Sequence, residues 1–154
     1  SPKSFVLVLG ESYTGPVTVN LAHIPHILLG GSTGSGKSVL LKLLLMQALH
    51  KGENLLIFPE GTTIRNGVGY HDGLPAHAHA GIAMIAVRTG ATLVPVFCDG
   101  QKKLFHKTRI IFGEPYTPEV TGRRGTSEEL QAIADEMLRR AYALGGQQVG
   151  GAPL

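Results

Sequence analysis

The sequence has 154 residues, of which 43% are hydrophobic and 16% are charged, and its net charge is +3. This composition excludes an intrinsically disordered chain, and the length suits one domain with one core. A single cysteine, Cys98, excludes an internal disulfide, and the weak positive charge is compatible with anionic ligands without demanding nucleic acid.

The first third of the chain predicts a hairpin followed by a strand–helix–strand unit. Two short β-runs, about residues 4–9 and 16–20, flank a turn at TGP. HILLGG (26–31) and NLLIF (54–58) are continuous apolar runs of the kind found in buried parallel strands. The pattern from Ser38 to His50 predicts a helix between them, and the three together predict a βαβ unit. The apolar stripe of this helix is formed by Leu40, Leu41, Leu44, Leu45, Ala48 and Leu49.

Two further helices and two strands are predicted downstream. Residues 80–90 form a helix pattern closed by Gly90, and TLVPVFC (92–98) and TRIIFGEP (108–115) are predicted strands. Thr126, with Glu129 three positions later, forms a capping box that starts the third helix. Its predicted buried face is formed by Leu130, Ile133, Ala134, Met137 and Leu138. We therefore predict a single α/β domain over residues 1–154, with a mainly parallel sheet, a P-loop βαβ unit, three helices and a loose tail at 145–154.

The segment GGSTGSGKS contains the phosphate-loop pattern G-x-x-x-x-G-K-S from Gly31 to Ser38, placed between a predicted strand and a helix. Its glycines allow backbone N–H groups to converge on phosphate oxygens at the positive end of the helix. Lys37 is predicted to reach the β- and γ-phosphates, and the Ser38 hydroxyl is predicted to hold Mg²⁺. The predicted cofactors are thus ATP and Mg²⁺. The predicted binding residues are Gly31, Ser32, Thr33, Gly34, Ser35, Gly36, Lys37 and Ser38; the alternative is a Gly/Ser-rich turn that binds nothing.

Residues 3–52 carry the pattern TG-PV-V-LA followed by PHILLGGSTGSGKSV. This segment resembles the start of the motor domain of FtsK/SpoIIIE-type DNA translocases, and the resemblance implies that the loop binds ATP. The remaining chain has no room for that family's Walker B strand, sensors and DNA-contacting loops, so DNA is not expected as a partner. Glu60, at the end of LLIFPE, is an alternative carboxylate for Mg²⁺, although Pro59 stands where an aspartate is usual.

Residues 53–142 contain FPEGTTIR (58–65), AGIAMIAVRTGATLVPVF (80–97) and IIFGEPYTP (110–118). This part resembles the PlsC-type lysophosphatidic acid acyltransferases. The resemblance implies a site for the glycerol-phosphate of the substrate, formed here by Glu60, Gly61, Thr62 and Arg65. A guanidinium such as that of Arg65 suits bidentate contact with phosphate.

The acyltransferase half departs from its family at the catalytic centre. The family's His-x-x-x-x-Asp motif supplies the general base, yet none of the seven histidines has an aspartate five positions on. A missing general base lowers a rate by about 10²–10⁴-fold. Thr63 also stands where the family commonly has arginine. Acyl transfer is therefore not expected, and no catalytic residue is assigned.

HDGLPAHAHA offers His71, Asp72, His77 and His79 as metal ligands, but its position in a predicted loop favours solvated histidines. No signal peptide is apparent, and the most apolar window is too short to span a bilayer. We expect a cytoplasmic protein, and peripheral attachment to the inner face of the membrane is the second location considered. The resulting hypothesis is an ATP/Mg²⁺-binding module joined to a catalytically incomplete acyltransferase half. The alternative is a 1-acylglycerol-3-phosphate acyltransferase of phospholipid biosynthesis, with lysophosphatidic acid or an anionic membrane surface as partner.

Overall fold

A computed structural model describes residues 5–24, 26–60, 70–71, 74–75, 77–98, 109–122, 124–147 and 149. The chain divides into two compact units, Ser1–Leu56 and Ile57–Leu154. Each unit has its own buried residues and is described separately below.

The first unit begins with an antiparallel hairpin. Strand β1 (Val6–Ser12) pairs with β2 (Gly15–Asn20), and the register shifts between Val8 and Gly10, where the hairpin has a bulge. Gly15 follows the turn with a φ of 118°, a value that only glycine adopts readily. The two predicted β-runs joined by a turn are therefore confirmed, although the turn falls at residues 13–14 and Gly15 and Pro16 already belong to β2.

Helix α1 (Lys37–His50) packs against β1. Leu44 and Ala48 are its buried residues, and Leu7 of β1 is buried in the same unit. Leu41, which belongs to the predicted apolar stripe, is 47% exposed. The predicted helix is thus confirmed, but its buried face is narrower than the sequence stripe because a two-stranded hairpin covers less of a helix than a sheet does.

The second unit is built around two helices packed together, α2 (Ala80–Thr89) and α3 (Ser127–Leu144). Gly90 ends α2 in the left-handed conformation, with a φ of 66°. The capping box of α3 is complete: Glu129 N–H donates to Thr126 Oγ1 at 3.2 Å, and Thr126 N–H donates to Glu129 Oε2 at 2.7 Å. Both helix predictions are confirmed. The buried core of this unit comprises Ala78, Ala83, Ala134, Leu138 and Tyr142.

Four short strands accompany these helices. Strand β3 (Tyr70–His71) pairs with β4 (Leu74–Pro75), and β5 (Val96–Cys98) pairs with β6 (Ile110–Phe112), both antiparallel. Phe97, at the centre of β5, faces α3, whereas Phe112 of β6 is 69% exposed. The second strand pair therefore has a covered face and an open apolar face.

The predicted parallel sheet and the P-loop βαβ unit are wrong. Across the described residues the chain forms three two-stranded antiparallel sheets, and neither 26–31 nor 54–58 is a strand. Parallel strands need neighbours and a long crossover, and their sheets need cover on both faces. Here α1 packs against β1 of an antiparallel hairpin. The connection between β5 and β6 contains only residues 99–109, a length that favours antiparallel pairing. Lacking neighbouring strands, Leu28 and Phe58 remain 96% and 73% exposed.

Among the described residues, no helix combines the length and the hydropathy that crossing a membrane requires. The tail predicted at 145–154 lies partly outside the described residues. Gly145 and Gly146 still hydrogen-bond back to the end of α3, at Tyr142 O and Ala143 O.

Candidate functional site

The loop from Gly31 to Gly36 leads directly into the N-terminus of α1. Lys37, the first helical residue, turns its ammonium back across the loop, and Nζ donates to Gly31 O at 3.1 Å. Ser35 N–H donates to Ser32 O at 3.2 Å and closes a turn inside the loop. The structure therefore brings the two ends of the predicted phosphate loop together around the lysine.

Two glycines make this loop conformation accessible. Gly34 and Gly36 have φ values of 85° and 82°, in the left-handed region where a Cβ is strained. A Cβ on Gly31 would meet the Ser35 side chain. Three glycines of the loop thus have a conformational or steric reason for their presence.

The start of α1 is a suitable place for an anion. The first helical hydrogen bond runs from Leu40 N–H to Gly36 O, so the preceding helical N–H groups have no intrahelical acceptor. The first turn contains no acidic residue that would repel a phosphate. Lys37 supplies a full positive charge beside the partial charge of the helix terminus. Donors and positive charge of this kind suit an anion, and the exposed Ser38 offers a hydroxyl at the same end of the helix.

The acyltransferase-like turn lies in the second unit, where its start is held by two helices. His79 N–H, at the cap of α2, donates to Pro59 O at 3.3 Å. Tyr142 of α3 donates its hydroxyl proton to Glu60 Oε1 at 3.4 Å. Glu60 is half-buried and Tyr142 is 7% exposed. The turn is therefore attached to α2 through its backbone and to α3 through its carboxylate.

Burial and the Glu60 carboxylate act together on Tyr142. Desolvation is the largest cause, and the negative charge of Glu60 and the hydrogen bond to it add to this, which raises the pKa of Tyr142 from 10.0 to about 12. The ring of Phe97 meets the ring of Tyr142 edge-on, with centroids 6.4 Å apart and planes at 67°. Tyr142 is therefore a neutral, well-fixed donor at neutral pH.

Sequence reasoning missed Tyr142. The signal was available, because Tyr142 continues the spacing of Ala134 and Leu138 along the buried face of α3. Three of the predicted substrate residues, Gly61, Thr62 and Arg65, lie outside the described residues, so only Glu60 of that set is placed.

The histidine-rich segment forms no metal centre in the part of the chain that the structure describes. His77 is exposed, and its Nδ1 lies 3.8 Å from Asp135 Oδ1. His79 caps α2 through its backbone. Asp72, another ligand of the predicted metal site, lies outside the described residues.

A shallow cleft of about 280 Å³ lies between α3 and the segment after β6. The Arg140 guanidinium sits 4.0 Å above the Tyr116 ring, and Arg140 Nε donates to Glu136 Oε1 at 2.6 Å. Burial raises the pKa of Tyr116, and the charge of Arg140 opposes this rise. Arg140 is thus already paired on two sides, which leaves this cleft a structural contact between α3 and the segment that follows β6.

The profile of the acyltransferase family matches residues 5–99, more than half of the chain. The chain therefore belongs to the acyltransferase family. The composite resemblance expected from the sequence is confirmed, although the family match begins earlier and ends earlier than residues 53–142.

The curated relatives that match include DNA translocases named FtsK. The Shewanella oneidensis protein is 42% identical over 52 residues, which is 33% of this chain and 6% of the relative. The Haemophilus influenzae protein is also 42% identical over 52 residues, 33% of this chain and 10% of the relative. The Vibrio vulnificus protein is 27% identical over 135 residues, 84% of this chain and 12% of the relative. The chain thus spans only a small part of these relatives, and no solved structure gives a significant match.

Proposed function

We propose that the chain binds the phosphates of ATP with Mg²⁺ at the loop from Gly31 to Ser38. The observation that carries this proposal is the position of Lys37, whose Nζ lies 3.1 Å from Gly31 O across the loop. A lysine held there at a helix N-terminus meets a phosphate with both a full and a partial positive charge. Mg²⁺, when bound, would neutralise phosphate charge, and the Ser38 hydroxyl is the ligand this segment offers to it.

Turnover at this loop is proposed to be weak or absent. Rapid hydrolysis needs a carboxylate that helps to hold Mg²⁺ and a group that orients water. The first unit has two carboxylates, Glu11 in β1 and Glu53 beyond the end of α1. Glu53 lies at the opposite end of a helix about 20 Å long. Within the described residues, neither carboxylate forms a hydrogen bond with the loop. The chemistry that this loop supports is therefore binding.

Thermal unfolding with and without MgATP tests the proposal. A ligand at 100 times its Kd stabilises the folded state by about 2.7 kcal/mol, and each kcal/mol raises Tm by roughly 2–4 °C in a chain of this size. Lys37→Ala should abolish the rise. Lys51→Ala removes the same charge at the other end of α1 and should leave the rise intact. A cooperative melt that MgATP does not move, or an unchanged rise in Lys37→Ala, would contradict the proposal.

A second candidate function is favoured by the family match: binding of a 1-acylglycerol-3-phosphate, the acceptor of a phospholipid acyltransferase, at the turn of Glu60. Glu60 is half-buried and hydrogen-bonded by Tyr142, as expected for a carboxylate in a shaped site. The sequence contains no His-x-x-x-x-Asp pair to act as base, so we propose binding with little acyl transfer.

Binding of 1-oleoylglycerol 3-phosphate, measured by titration below its micelle concentration, tests this second candidate. We expect Glu60→Gln to weaken binding, because a neutral amide is a poorer hydrogen-bond acceptor than a carboxylate. Glu53→Gln, an exposed carboxylate seven positions earlier, is the matched control. Equal binding by parent and Glu60→Gln, or no binding by the parent, would remove this candidate. Rapid acyl transfer would overturn the claim of an incomplete catalytic centre.

A further inference from the structure

Glu60 is connected to a residue 82 positions away along the chain. The hydroxyl of Tyr142 donates to Glu60 Oε1 at 3.4 Å, and the next residue back, Pro59, accepts a hydrogen bond from His79 N–H at 3.3 Å. Two contacts from two different helices therefore reach adjacent residues at the start of the FPEGT segment. One fixes the backbone at Pro59, and the other reaches one carboxylate oxygen of Glu60.

Tyr142 is itself held by packing on several sides. It is 7% exposed and belongs to the core cluster with Leu138 and Ala134. Phe97 of β5 meets its ring edge-on. A side chain packed in this way has little freedom to rotate, so its hydroxyl is placed by the fold before any ligand arrives.

We propose that Tyr142 is the positioning residue for Glu60, and that it orients the carboxylate so that Oε2 accepts a hydrogen bond from a hydroxyl of a glycerol-phosphate headgroup. This inference rests on the second candidate function above. Tyr142 donates to Oε1, so the ligand hydroxyl is assigned to the other carboxylate oxygen, Oε2. The role is indirect, because Tyr142 acts through Glu60 and does not itself touch the ligand.

The titration of Tyr142 supports the same geometry. Burial, the charge of Glu60 and the hydrogen bond to it raise the pKa of Tyr142 to about 12. In Glu60→Gln the last two causes are weakened, so the pKa of Tyr142 should fall towards the value set by burial. This readout depends on the contact and requires no ligand or activity.

The experiment has two readouts on the parent, Tyr142→Phe, Glu60→Gln and Tyr116→Phe. The first is an NMR titration of ring-¹³C tyrosine up to about pH 11, in which Tyr142→Phe identifies the signal of Tyr142 among the four tyrosines. We expect more ionised Tyr142 at the highest pH in Glu60→Gln than in the parent.

The second readout is the affinity for 1-oleoylglycerol 3-phosphate, with an expected loss of about tenfold in Tyr142→Phe. Tyr116→Phe, which also removes a buried tyrosine hydroxyl beside α3, should bind like the parent.

The possible results test the contact, the positioning role and the second candidate function separately. A Tyr142 titration that Glu60→Gln leaves unchanged overturns the contact and the positioning role. A changed titration with parental affinity in Tyr142→Phe also overturns the role, because the contact then has no effect on binding. A parent that does not bind the lipid overturns the second candidate function and the role together, while the titration still reports whether the contact exists. Weaker binding in Tyr142→Phe alone, with a changed titration in Glu60→Gln, supports the proposal.

Discussion

Gln47 forms two hydrogen bonds with the backbone of Val8. Its Oε1 accepts from Val8 N–H at 2.8 Å, and its Nε2 donates to Val8 O at 2.9 Å. Val8 lies beside the bulge of the hairpin, where the ladder between β1 and β2 is interrupted. A side-chain amide thus takes the place of a neighbouring strand, and it attaches α1 to the hairpin across 39 positions of the chain.

We expect Gln47→Ala to destabilise the first unit by about 1–3 kcal/mol, because it removes two hydrogen bonds that each contribute about 0.5–1.5 kcal/mol net. Hydrogen exchange of the Val8 amide should become faster, together with a lower midpoint of chemical denaturation. Leu43→Ala is the control, since Leu43 lies on the same helix and is 51% exposed. Equal exchange of the Val8 amide in the two variants would show that the amide pairing does not stabilise the unit.

Gly36→Ala should weaken both the fold and phosphate binding. Gly36 has a φ of 82° at the N-cap of α1, and an L-residue there is strained by roughly 1–2 kcal/mol. Gly30→Ala is the control, because Gly30 does not have a positive φ and a Cβ at that position meets no atom within 4 Å. Calorimetric titration with MgATP would measure both variants. If Gly36→Ala binds as Gly30→Ala does, the left-handed turn is not needed for the site.

Thr126→Ala should destabilise α3 by about 0.5–2 kcal/mol, because it removes the cap that accepts from Glu129 N–H. Circular dichroism during chemical denaturation would measure this loss. Ser127→Ala, one residue further on, is the control for loss of a hydroxyl. An equal midpoint in the two variants would contradict the role of the cap.

The other half of the capping box predicts a pH dependence. Hydrogen bonds from Thr121 and Thr126 hold the pKa of Glu129 below its usual 4.5. A carboxylate whose pKa is lowered by folding contributes stability that is fully present above its unfolded-state pKa. This contribution is lost as the pH falls through the lower, folded-state pKa. In Glu129→Gln, the stability of α3 should therefore fall less than in the parent as the pH is lowered below 4.5. Identical acid unfolding of parent and variant would refute this assignment.

Leu138→Ala should destabilise the second unit by about 2–5 kcal/mol, because it opens a cavity in the core where Leu138 is 1% exposed. Phe112→Ala removes a larger side chain that is 69% exposed, and we expect a change within about 0.5 kcal/mol. Denaturant midpoints of the two variants give the comparison. A larger effect at Phe112 would mean that the open face of β6 is covered in solution.

The success of local sequence patterns has a physical cause. The capping box, the glycine at the end of α2 and the turn between β1 and β2 depend on groups within a few residues of each other. Their hydrogen bonds and φ values are determined almost entirely by residue type. The three helices and the first hairpin were therefore predictable.

The failure of the parallel sheet has the opposite cause. Residues 26–31 and 54–58 have the apolar content of buried strands, but a strand exists only where another strand donates and accepts along its edge. Composition cannot show whether such a neighbour is available. In this chain the described residues supply none, and α1 instead packs on the hairpin through Gln47.

By itself, the sequence determined the helices, their caps, the hairpin turn and the loop that surrounds Lys37, because each depends on interactions between near neighbours. Only the tertiary structure decided which apolar runs found partners, and only it brought the hydroxyl of Tyr142 to the carboxylate of Glu60. Contacts between distant positions depend on how the helices and strands pack as a whole. A residue's type and its immediate neighbours do not contain that information.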